Sequence, residues 1–382
     1  MLIHVEWGRI ASLRRMRLED KLALEGRLVD CSESTVLPGL VDSHVHLTLS
    51  GTGDESIRQK QLSYTADQAM SVIRSHLARS LACGVVAVRD GGDAASHTLS
   101  YARDPASHSM PVRVRAAGKA WRSRGRYGRL FGRPPAEGMS LAQSIASNPS
   151  PLDHVKIVNS GVNSLKEFGR ETRPQFSAAE LDAAVQAARR KGLKTMVHAN
   201  GSVPVRGALD AGATSIEHGF FMGDSNLERM ADLQVFWVPT AITMKAYARE
   251  LPRGALEAEI AWRTLEHQMK QIAYARRLGV PVVVGTDSGS LGVHHGLAAA
   301  EEMEILVDAG YSIEEAVCCA TSDPSRLLGL RGETGQIKKG MEATFVVVPG
   351  PPETLLHRMG RPEKVFVQGR LAASEGLAGT AG

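Results

Sequence analysis

The feature that most constrains the fold is an alternation of short apolar runs with longer helical segments along most of the chain. Several runs are almost continuous in aliphatic residues, which is typical of parallel strands covered on both faces. Strands that alternate with helices predict βαβ units, and eight such strands close a (β/α)8 TIM barrel. The eight runs are Gly39–Leu47, Val85–Arg89, Val112–Ala117, Val155–Val158, Lys194–His198, Ala213–Glu217, Gln234–Pro239 and Pro281–Thr286.

The segments between the runs carry signals for the start of a helix. Three of them begin with a capping box, in which a Ser or Thr is followed three residues later by Gln or Glu. These boxes start at Thr65, Ser177 and Ser312. A doubly wound open sheet is the competing architecture, but no glycine-rich phosphate motif follows the first run. We therefore predict that residues 39–329 form the barrel.

The two ends of the chain do not follow this alternation. Residues 1–38, which include the run at 22–30, and residues 330–370 resemble short antiparallel strands joined by glycine turns. We predict that both ends together form one small β-sandwich domain. Residues 371–382 are rich in small side chains and are predicted to be a disordered tail.

Composition excludes several classes of protein. The chain has 382 residues, of which 43% are hydrophobic and 23% charged, as is ordinary for a soluble globular protein. The net charge of +4 is too small to indicate a nucleic-acid partner. The four cysteines show no CxxC spacing, and neither a signal peptide nor a run long enough to span a bilayer is evident. We expect a cytoplasmic protein with no membrane partner.

Two histidines follow each other at the end of the first predicted strand. His44 and His46 are two residues apart, so their side chains share one face of the strand. Two imidazoles at the carboxyl end of a barrel strand make half of a metal site. On their own they are more often a pair of core or surface histidines, because HxH recurs by chance.

Three further polar residues stand where later strands meet their loops. His198 ends the fifth run, His218 follows the sixth and Asp287 follows the eighth. Catalytic residues of a barrel come from this edge, and an aspartate is rarely buried without a partner. Together with His44 and His46, these residues predict a metal centre.

Lys156 lies inside the fourth run, with His154 two residues before it. A charged lysine inside a barrel is costly unless it is paired. One interpretation is that carbon dioxide converts its amine into an anionic carbamate that bridges two metal ions. The other is an ion pair with a carboxylate across the barrel, and spacing alone does not decide between them.

Several short motifs of the chain together resemble those of a known superfamily. The stretches LPGLVDSHVHL, MVHAN, IEHG, GTDSG and EAVCCATSDPSRLLGL, with the later GQIKKG, resemble the metal-dependent amidohydrolase superfamily, and most of all its Xaa-Pro dipeptidase and imidazolonepropionase-like branch. The resemblance covers essentially the whole chain. It implies two metal ions, usually zinc, although manganese, iron and cobalt stay open. The implied ligands are His44 and His46 for the first metal, His198 and His218 for the second, a carboxylated Lys156 as the bridge, and Asp287.

The resemblance also implies an activity. A hydroxide that bridges the metals attacks a carbonyl, and Asp287 carries the proton to the leaving nitrogen. The predicted reaction is hydrolysis of an amide-type C–N bond in a dipeptide, an N-acyl amino acid or a cyclic amide. A single-metal deaminase or a ring-opening imidazolonepropionase-like hydrolase is the alternative. A catalytically silent relative is disfavoured, because all six candidate ligands are present.

The substrate is a small molecule whose identity the sequence leaves open. A loop after the third strand is crowded with arginines, where relatives show a glycine-rich, histidine-containing stretch. It is either a solvated basic loop or a clamp for a substrate carboxylate. We expect Arg89 and Asp90 to be structural and His294 or His295 to lie at a helix start or beside the site. The oligomeric state is left open, and the arginines are Arg122, Arg124, Arg126, Arg129 and Arg133.

Overall fold

The structure, a computed structural model, describes residues 1–17, 20 and 28–374. Its strands in chain order are β1 (Leu2–Glu6), β2 (Arg9–Arg14), β3 (Ser34–Pro38), β4 (Leu40–Val45), β5 (Val85–Asp90), β6 (Arg113–Ala116), β7 (Ala120–Trp121), β8 (Gly132–Arg133), β9 (His154–Val158), β10 (Lys194–Ala199), β11 (Ser215–His218), β12 (Phe236–Val238), β13 (Phe345–Pro349), β14 (Lys364–Val367) and β15 (Arg370–Ser374).

The helices lie mainly between the parallel strands. In chain order they are α1 (Glu55–Lys60), α2 (Ala66–Ala82), α3 (His97–Arg103), α4 (Leu141–Ala146), α5 (Ala178–Arg190), α6 (Ser202–Asp210), α7 (Asp224–Leu233), α8 (Ile242–Glu250), α9 (Leu256–Leu278), α10 (Leu297–Asp308), α11 (Ile313–Ala320), α12 (Ser322–Leu328) and α13 (Leu355–Met359). Short 3-10 helices cover Gln61–Ser63, Pro105–Ser109 and Pro352–Thr354.

The parallel strands form two arcs that meet to make the barrel. One arc has the order β4-β5-β6, and the other has the order β12-β11-β10-β9-β7-β8. On one side, the segment after α9 joins them through single bridges from Val282 to Trp237 and from Ser288 to Val45. On the other side, the amide of Asp153 donates to the carbonyl of Ala116 at 3.1 Å. The ring of strands is thereby closed.

The eighth predicted strand is less regular than the sequence suggests. Residues 281–286 form no continuous ladder, because side chains replace part of the backbone pairing. The carboxylate of Asp42 in β4 accepts hydrogen bonds from the amide of Thr286 at 3.0 Å and from its hydroxyl at 2.6 Å. This buried aspartate fixes the segment that leads directly to Asp287.

The three predicted capping boxes are present at the starts of α2, α5 and α11, with Thr65, Ser177 and Ser312 as the N-cap residues. A fourth box, which the sequence analysis did not identify, starts α4 at Ser140. In each box the N-cap oxygen accepts an otherwise unpaired amide of the first turn. These local signals set the lengths of the helices that cover the barrel.

Both ends of the described chain contribute to small antiparallel sheets. Strand β3 pairs with β13 in a sheet of order β15-β14-β13-β3, and β1 pairs with β2. Ile10, Ala343 and Phe345 form a shared hydrophobic cluster between them. Residues 371–374, which we assigned to the tail, instead lie in β15, because Ala373 pairs with Val365. Residues 375–382 and most of the run at 22–30 lie outside the described residues.

The four-stranded sheet packs directly against the barrel. A Cβ atom on Gly39 would lie 2.5 Å from Val86 and 3.1 Å from Thr344, so only glycine fits between the strands here. Trp237, another core residue, is fully buried, and its indole donates to the carbonyl of His218. Among the described residues, no helix has both the length and the apolar character needed to cross a bilayer. The exact division at residues 38/39 and 329/330 stays a prediction.

Candidate metal centre

Three candidate ligands meet at the carboxyl end of the barrel. His44 and His46 come from β4 and its end, and Asp287 follows the irregular eighth segment. Oδ1 of Asp287 lies 3.4 Å from Nε2 of His44 and 3.3 Å from Nε2 of His46. One ligand atom from each residue falls within 4.8 Å of the others, a spacing that suits a single metal ion. Three of the residues that the sequence predicts as metal ligands therefore lie close together in space.

His198 and His218 extend this cluster along the ends of β10 and β11. The rings of His44 and His218 are 5.0 Å apart, and those of His198 and His218 are 4.6 Å apart. His218 and Asp287 both have positive φ, at 68° and 57°. This conformation is unfavourable for residues with a Cβ atom and is concentrated at functional sites. All four candidate histidines and Asp287 are therefore neighbours.

Each of the four imidazoles has one nitrogen held by a fixed partner. Such contacts orient ligating histidines and leave the other nitrogen free for a metal. The second nitrogen is Nε2 in His44, His46 and His218 and Nδ1 in His198; in His44 and His46 it faces Oδ1 of Asp287. The held nitrogens are Nδ1 of His44 at 2.9 Å from Glu217, Nδ1 of His46 at 3.0 Å from the Gly92 carbonyl, Nε2 of His198 at 3.0 Å from the Gly161 carbonyl, and Nδ1 of His218 at 2.7 Å from the Thr240 hydroxyl.

Burial keeps most of these imidazoles neutral, as metal binding requires. Burial, reinforced by the charge of Lys156, lowers the pKa of His44 to about 4 and that of His198 to about 3. The pKa of His218 lies well below its ordinary value for the same first reason. His46 differs: burial opposes its charge, but Asp287 outweighs burial and raises its pKa. The donor set fits a divalent metal of the zinc type.

Lys156 of β9 lies beside this cluster. It is 1% exposed, and Nζ is 3.2 Å from Nε2 of His44. Burial lowers its pKa to about 8. Within the described part of the chain it forms no ion pair, although the charges of Glu217 and Asp287 act on it. The lysine therefore points at the cluster, next to a candidate ligand, and the direct ion pair of the second interpretation is not formed.

A buried charged residue that was not among those predicted from the sequence lies beneath the cluster. Glu217 of β11 is completely buried and lies between His44 and Arg89. Its carboxylate receives a hydrogen bond from Nη2 of Arg89 at 2.8 Å and one from the hydroxyl of Ser215 at 2.5 Å. Burial opposes the charge of Glu217, but Arg89 and His44 outweigh it and hold the pKa of Glu217 well below its usual range. The signal was its place in the IEHG motif, two residues after an inward-facing serine.

Arg89 and Asp90 are structural, as predicted, but not through a contact with each other. Arg89 donates to Glu217 and to the carbonyl of Ser43 at 2.7 Å. Asp90 accepts hydrogen bonds from the amides of Leu47 and Gly92, both at 2.8 Å. Burial raises the pKa of Asp90 to about 6. Both residues support the turns that carry His44 and His46.

The loop after β6 presents aromatic rings to the cluster. The ring of Phe131 lies 5.1 Å from that of His46, and the ring of Tyr127 lies 5.5 Å from that of His198. Short strands β7 and β8, which the sequence did not indicate, fix this loop on the barrel. The loop therefore forms one wall of the site.

Several arginines of this loop are engaged in local contacts. Arg122 donates to the carbonyls of Gly132 and Ser123, Arg126 donates to the carbonyl of Arg173, and Arg133 stacks on Trp121 at 4.7 Å. Arg124 and Arg129 are exposed. Among the described residues, these last two arginines of the loop make no such local contact and so remain available to a ligand.

His295 lies behind the first strand and not in the cluster. Its Nε2 is 2.9 Å from the carbonyl of Leu49, and its ring stacks on His76 at 4.2 Å. His294 is exposed. Both precede α10, so the predicted position near a helix start is observed.

Comparison with known proteins identifies the family model and the fold that this chain matches. A model of the Amidohydrolase family matches residues 35–372. A solved Xaa-Pro dipeptidase with bound methionine in its active site superposes with a TM-score of 0.80 at 24% identity, over 97% of this chain and 94% of the other. That likeness confirms the predicted barrel with a sheet domain from the termini.

Two curated relatives differ in how much is known of them. An uncharacterized protein of Mycobacterium tuberculosis (strain H37Rv) is 27% identical over 84% of this chain and 85% of its own length. An imidazolonepropionase of Syntrophobacter fumaroxidans is 24% identical over 87% of this chain and 79% of its own length. The resemblance noted from the motifs is thereby confirmed.

Proposed function

The chain belongs to the amidohydrolase family, and on this basis we propose that it is a metal-dependent hydrolase of an amide-type C–N bond. The substrates that we infer are dipeptides, N-acyl amino acids or cyclic amides. The single observation that carries the proposal is the convergence of His44, His46 and Asp287 within 4.8 Å at the carboxyl end of the barrel. His198 and His218 supply further imidazoles beside them.

The proposed ligands are the residues of this cluster whose second ring nitrogen, amine or carboxylate could bind a metal. His44 and His46 would hold one metal, His198 and His218 a second, and a carboxylated Lys156 would join them. When bound, divalent ions at such a site lower the pKa of water and polarise a carbonyl oxygen. Zinc suits the donors, since imidazole and carboxylate are among its usual ligands.

Asp287 is the proposed proton shuttle. The neighbouring imidazoles outweigh burial and hold the pKa of Asp287 far below its usual range. The anionic carboxylate can accept a proton from the attacking water and return it to the leaving nitrogen. The hydroxyl of Ser290 donates to Oδ2 at 3.0 Å and so fixes the orientation of the carboxylate.

Carboxylation of Lys156 requires its neutral amine, which attacks the carbon of CO2 and releases one proton. The lowered pKa of about 8 favours the neutral form more than in an exposed lysine. The Lys156→Arg variant separates the two interpretations, because arginine keeps the positive charge but forms no such carbamate. We expect this variant to lose metal and activity. Retention of both would indicate that Lys156 acts as a cation.

A substrate panel tests the proposed reaction. Purified protein loaded with zinc is offered dipeptides, N-acyl amino acids, lactones and ring amides, with metal content measured in parallel. Turnover of amides by the wild type and its loss in His44→Asn are expected. Comparing N-acyl amino acids with their C-terminal amides tests for the carboxylate clamp. Arg124→Gln and Arg129→Gln should reduce any preference for the acid, and equal rates for both compounds would exclude the clamp.

The second candidate is a single-metal deaminase or ring-opening hydrolase. It is favoured by the tight group of three donors, which suits one ion, and by the likeness to an imidazolonepropionase. Metal analysis distinguishes the candidates: about two ions per chain support the binuclear site, and one ion supports the alternative. A chain without metal after loading would contradict both.

A further inference from the structure

A second polar site lies at the opposite end of the barrel from the metal centre. A cavity of about 70 Å³ opens beside the first residues of β9 and β10, His154 and Lys194. Arg89 and Arg115 are register partners on β5 and β6, and His154 and Lys194 are register partners on β9 and β10. Two adjacent pairs of strands thus direct four nitrogen-bearing side chains into one space, which is completed by Asp153, Leu327 and Leu328.

The distance to the metal centre follows from strand geometry. Lys194 begins β10 and His198 stands four residues later on the same strand. At about 3.3 Å per residue, these positions are separated by roughly 13 Å along the strand. Lys156, two residues from His154 on β9, is nearer, but none of the proposed metal ligands lines the cavity.

Two of the three cations that line the cavity, Arg115 and Lys194, have no carboxylate partner among the described residues. Arg89 is neutralised by Glu217, and Asp153 is already engaged by Arg103 at 3.0 Å. Lys194 donates to the carbonyls of Leu327 and Arg326, and Arg115 lies 3.4 Å from that of Leu328, so both meet only neutral oxygens at the end of α12. Within the described residues, neither of these two cations forms an ion pair. Burial and repulsion from Arg89, Arg331 and Arg115 lower the pKa of Lys194.

One residue of the lining also has an unpartnered polar atom. Nε2 of His154 is buried and has no hydrogen-bond partner among the described residues, and the residue is only 3% exposed. Buried polar atoms are almost always satisfied by protein, water or a ligand. One water molecule occupies about 10–15 Å³ of a cavity, so this cavity has room for about five non-hydrogen atoms.

We propose that this cavity is a binding site for a small oxyanion of the size of phosphate or sulfate. The anion would lie between Arg115 and Lys194. It would stabilise the contact of β6 and β10 with the end of α12, because Arg115 and Lys194 already donate to the carbonyls there. The same chemistry could be supplied by free inorganic anion or by the phosphate group of a larger metabolite. The site is independent of the proposed hydrolase activity.

Thermal unfolding tests the proposal on the metal-loaded protein. Phosphate and sulfate are compared with chloride at matched ionic strength, and each should raise Tm by at least about 2 °C. Arg115→Gln and Lys194→Met should abolish this rise. Lys191→Met is the matched control, because Lys191 also donates to two carbonyls, those of Ala146 and Asn148, but does not line the cavity. It should keep the rise in full.

The outcomes separate this site from the metal centre and the two sources of anion. A rise that survives Arg115→Gln and Lys194→Met, or no rise beyond chloride, overturns the proposal. A phosphate monoester that stabilises more strongly than phosphate indicates a metabolite; equal effects indicate the free ion. If the variants fail to fold, wild-type crystals soaked in selenate provide the test. Anomalous density beside Arg115 and Lys194 supports the site, and its absence there overturns it.

Discussion

At the residue scale, the candidate centre depends on charges that are balanced inside the barrel. His44 touches Glu217 through one nitrogen and faces Asp287 and Lys156 through the other. Glu217 in turn holds Arg89. A substitution of any one of these side chains leaves a buried charge unpaired. It should therefore change both the stability of the protein and its catalysis, and matched variants are needed to separate the two effects.

The first prediction concerns the proton shuttle. Asp287→Asn should keep the metal and reduce kcat by about 10²–10⁴-fold, the range typical of a lost general acid–base group. Asparagine tolerates the positive φ of 57° at this position, so the backbone should be preserved. Steady-state kinetics and metal analysis check this. Ser290→Ala, which removes only a hydrogen bond to Asp287, is the control and should lose much less. A near wild-type rate in Asp287→Asn would show that another group moves the proton.

The second prediction concerns the buried ion pair beneath the cluster. Glu217→Gln leaves Arg89 without a counter-charge, so the free energy of unfolding should fall by about 3–5 kcal/mol. His44 also loses its charged partner, and metal affinity should drop by about 10–100-fold. Urea unfolding and metal titration measure the two effects. Glu333→Gln, which breaks the more exposed pair with Arg113, should change both much less. Equal losses in the two variants would contradict a special role for Glu217.

These residues also show what a sequence can and cannot predict about such a site. The four histidines and Asp287 were predicted because each stands at or near a strand end, where the βα pattern fixes the position. Lys156 lies inside a strand and was predicted because a charged lysine there is costly. Glu217 was missed because the role of a carboxylate inside a strand cannot be inferred until its partner is known. Arg89 is 128 positions away in the chain, and only the closure of the barrel brings the two together.

At the element scale, the departures from prediction occur where side chains take over backbone pairing. The eighth segment is irregular because Asp42 binds Thr286, and the loop after β6 is ordered by β7 and β8, which are only two residues each. Apolar runs and capping boxes depend on neighbours within one turn or strand, so they were predictable. Two-residue strands depend on a distant partner and were not.

The third prediction concerns a buried carboxylate that joins two helices. Glu302 of α10 accepts hydrogen bonds from the amides of Ala241 and Ile242 at the start of α8. Burial raises its pKa to about 8, so between about pH 5 and 8 the native state retains a proton that the unfolded state has released. Stability should therefore fall with rising pH, on the order of 1 kcal/mol per pH unit for this group.

Glu302→Gln removes this titration. The variant should show a shallower loss of unfolding free energy between pH 5 and 8, whatever its stability at pH 5. Chemical unfolding at several pH values measures the slope. Glu301→Gln, at the neighbouring and less buried glutamate, should keep the wild-type slope. An unchanged slope in Glu302→Gln would mean that Glu302 is ionised in the native state throughout this range.

At the scale of the whole molecule, the barrel and the terminal sheet form a single packed unit. The sheet pairs β3 from the start of the chain with β13 from near its end, and Val346 of β13 lies against Gly84 at the base of β5. Contacts between distant parts of the chain are costly to form, since the intervening loop must first be closed. The barrel and the sheet are therefore expected to unfold together.

The last prediction tests this packing with two identical changes. Gly39→Ala would place a Cβ atom 2.5 Å from Val86 and 3.1 Å from Thr344, where the barrel meets the sheet. Overpacking of this kind costs about 1–3 kcal/mol. Gly207→Ala inside helix α6 has only Leu181 at 4.0 Å and should instead stabilise by about 0.5–1 kcal/mol, because alanine is the better helix former. Calorimetry should show a single transition in both, lowered in Gly39→Ala and raised in Gly207→Ala. Two separate transitions in Gly39→Ala would show that the sheet and the barrel unfold independently.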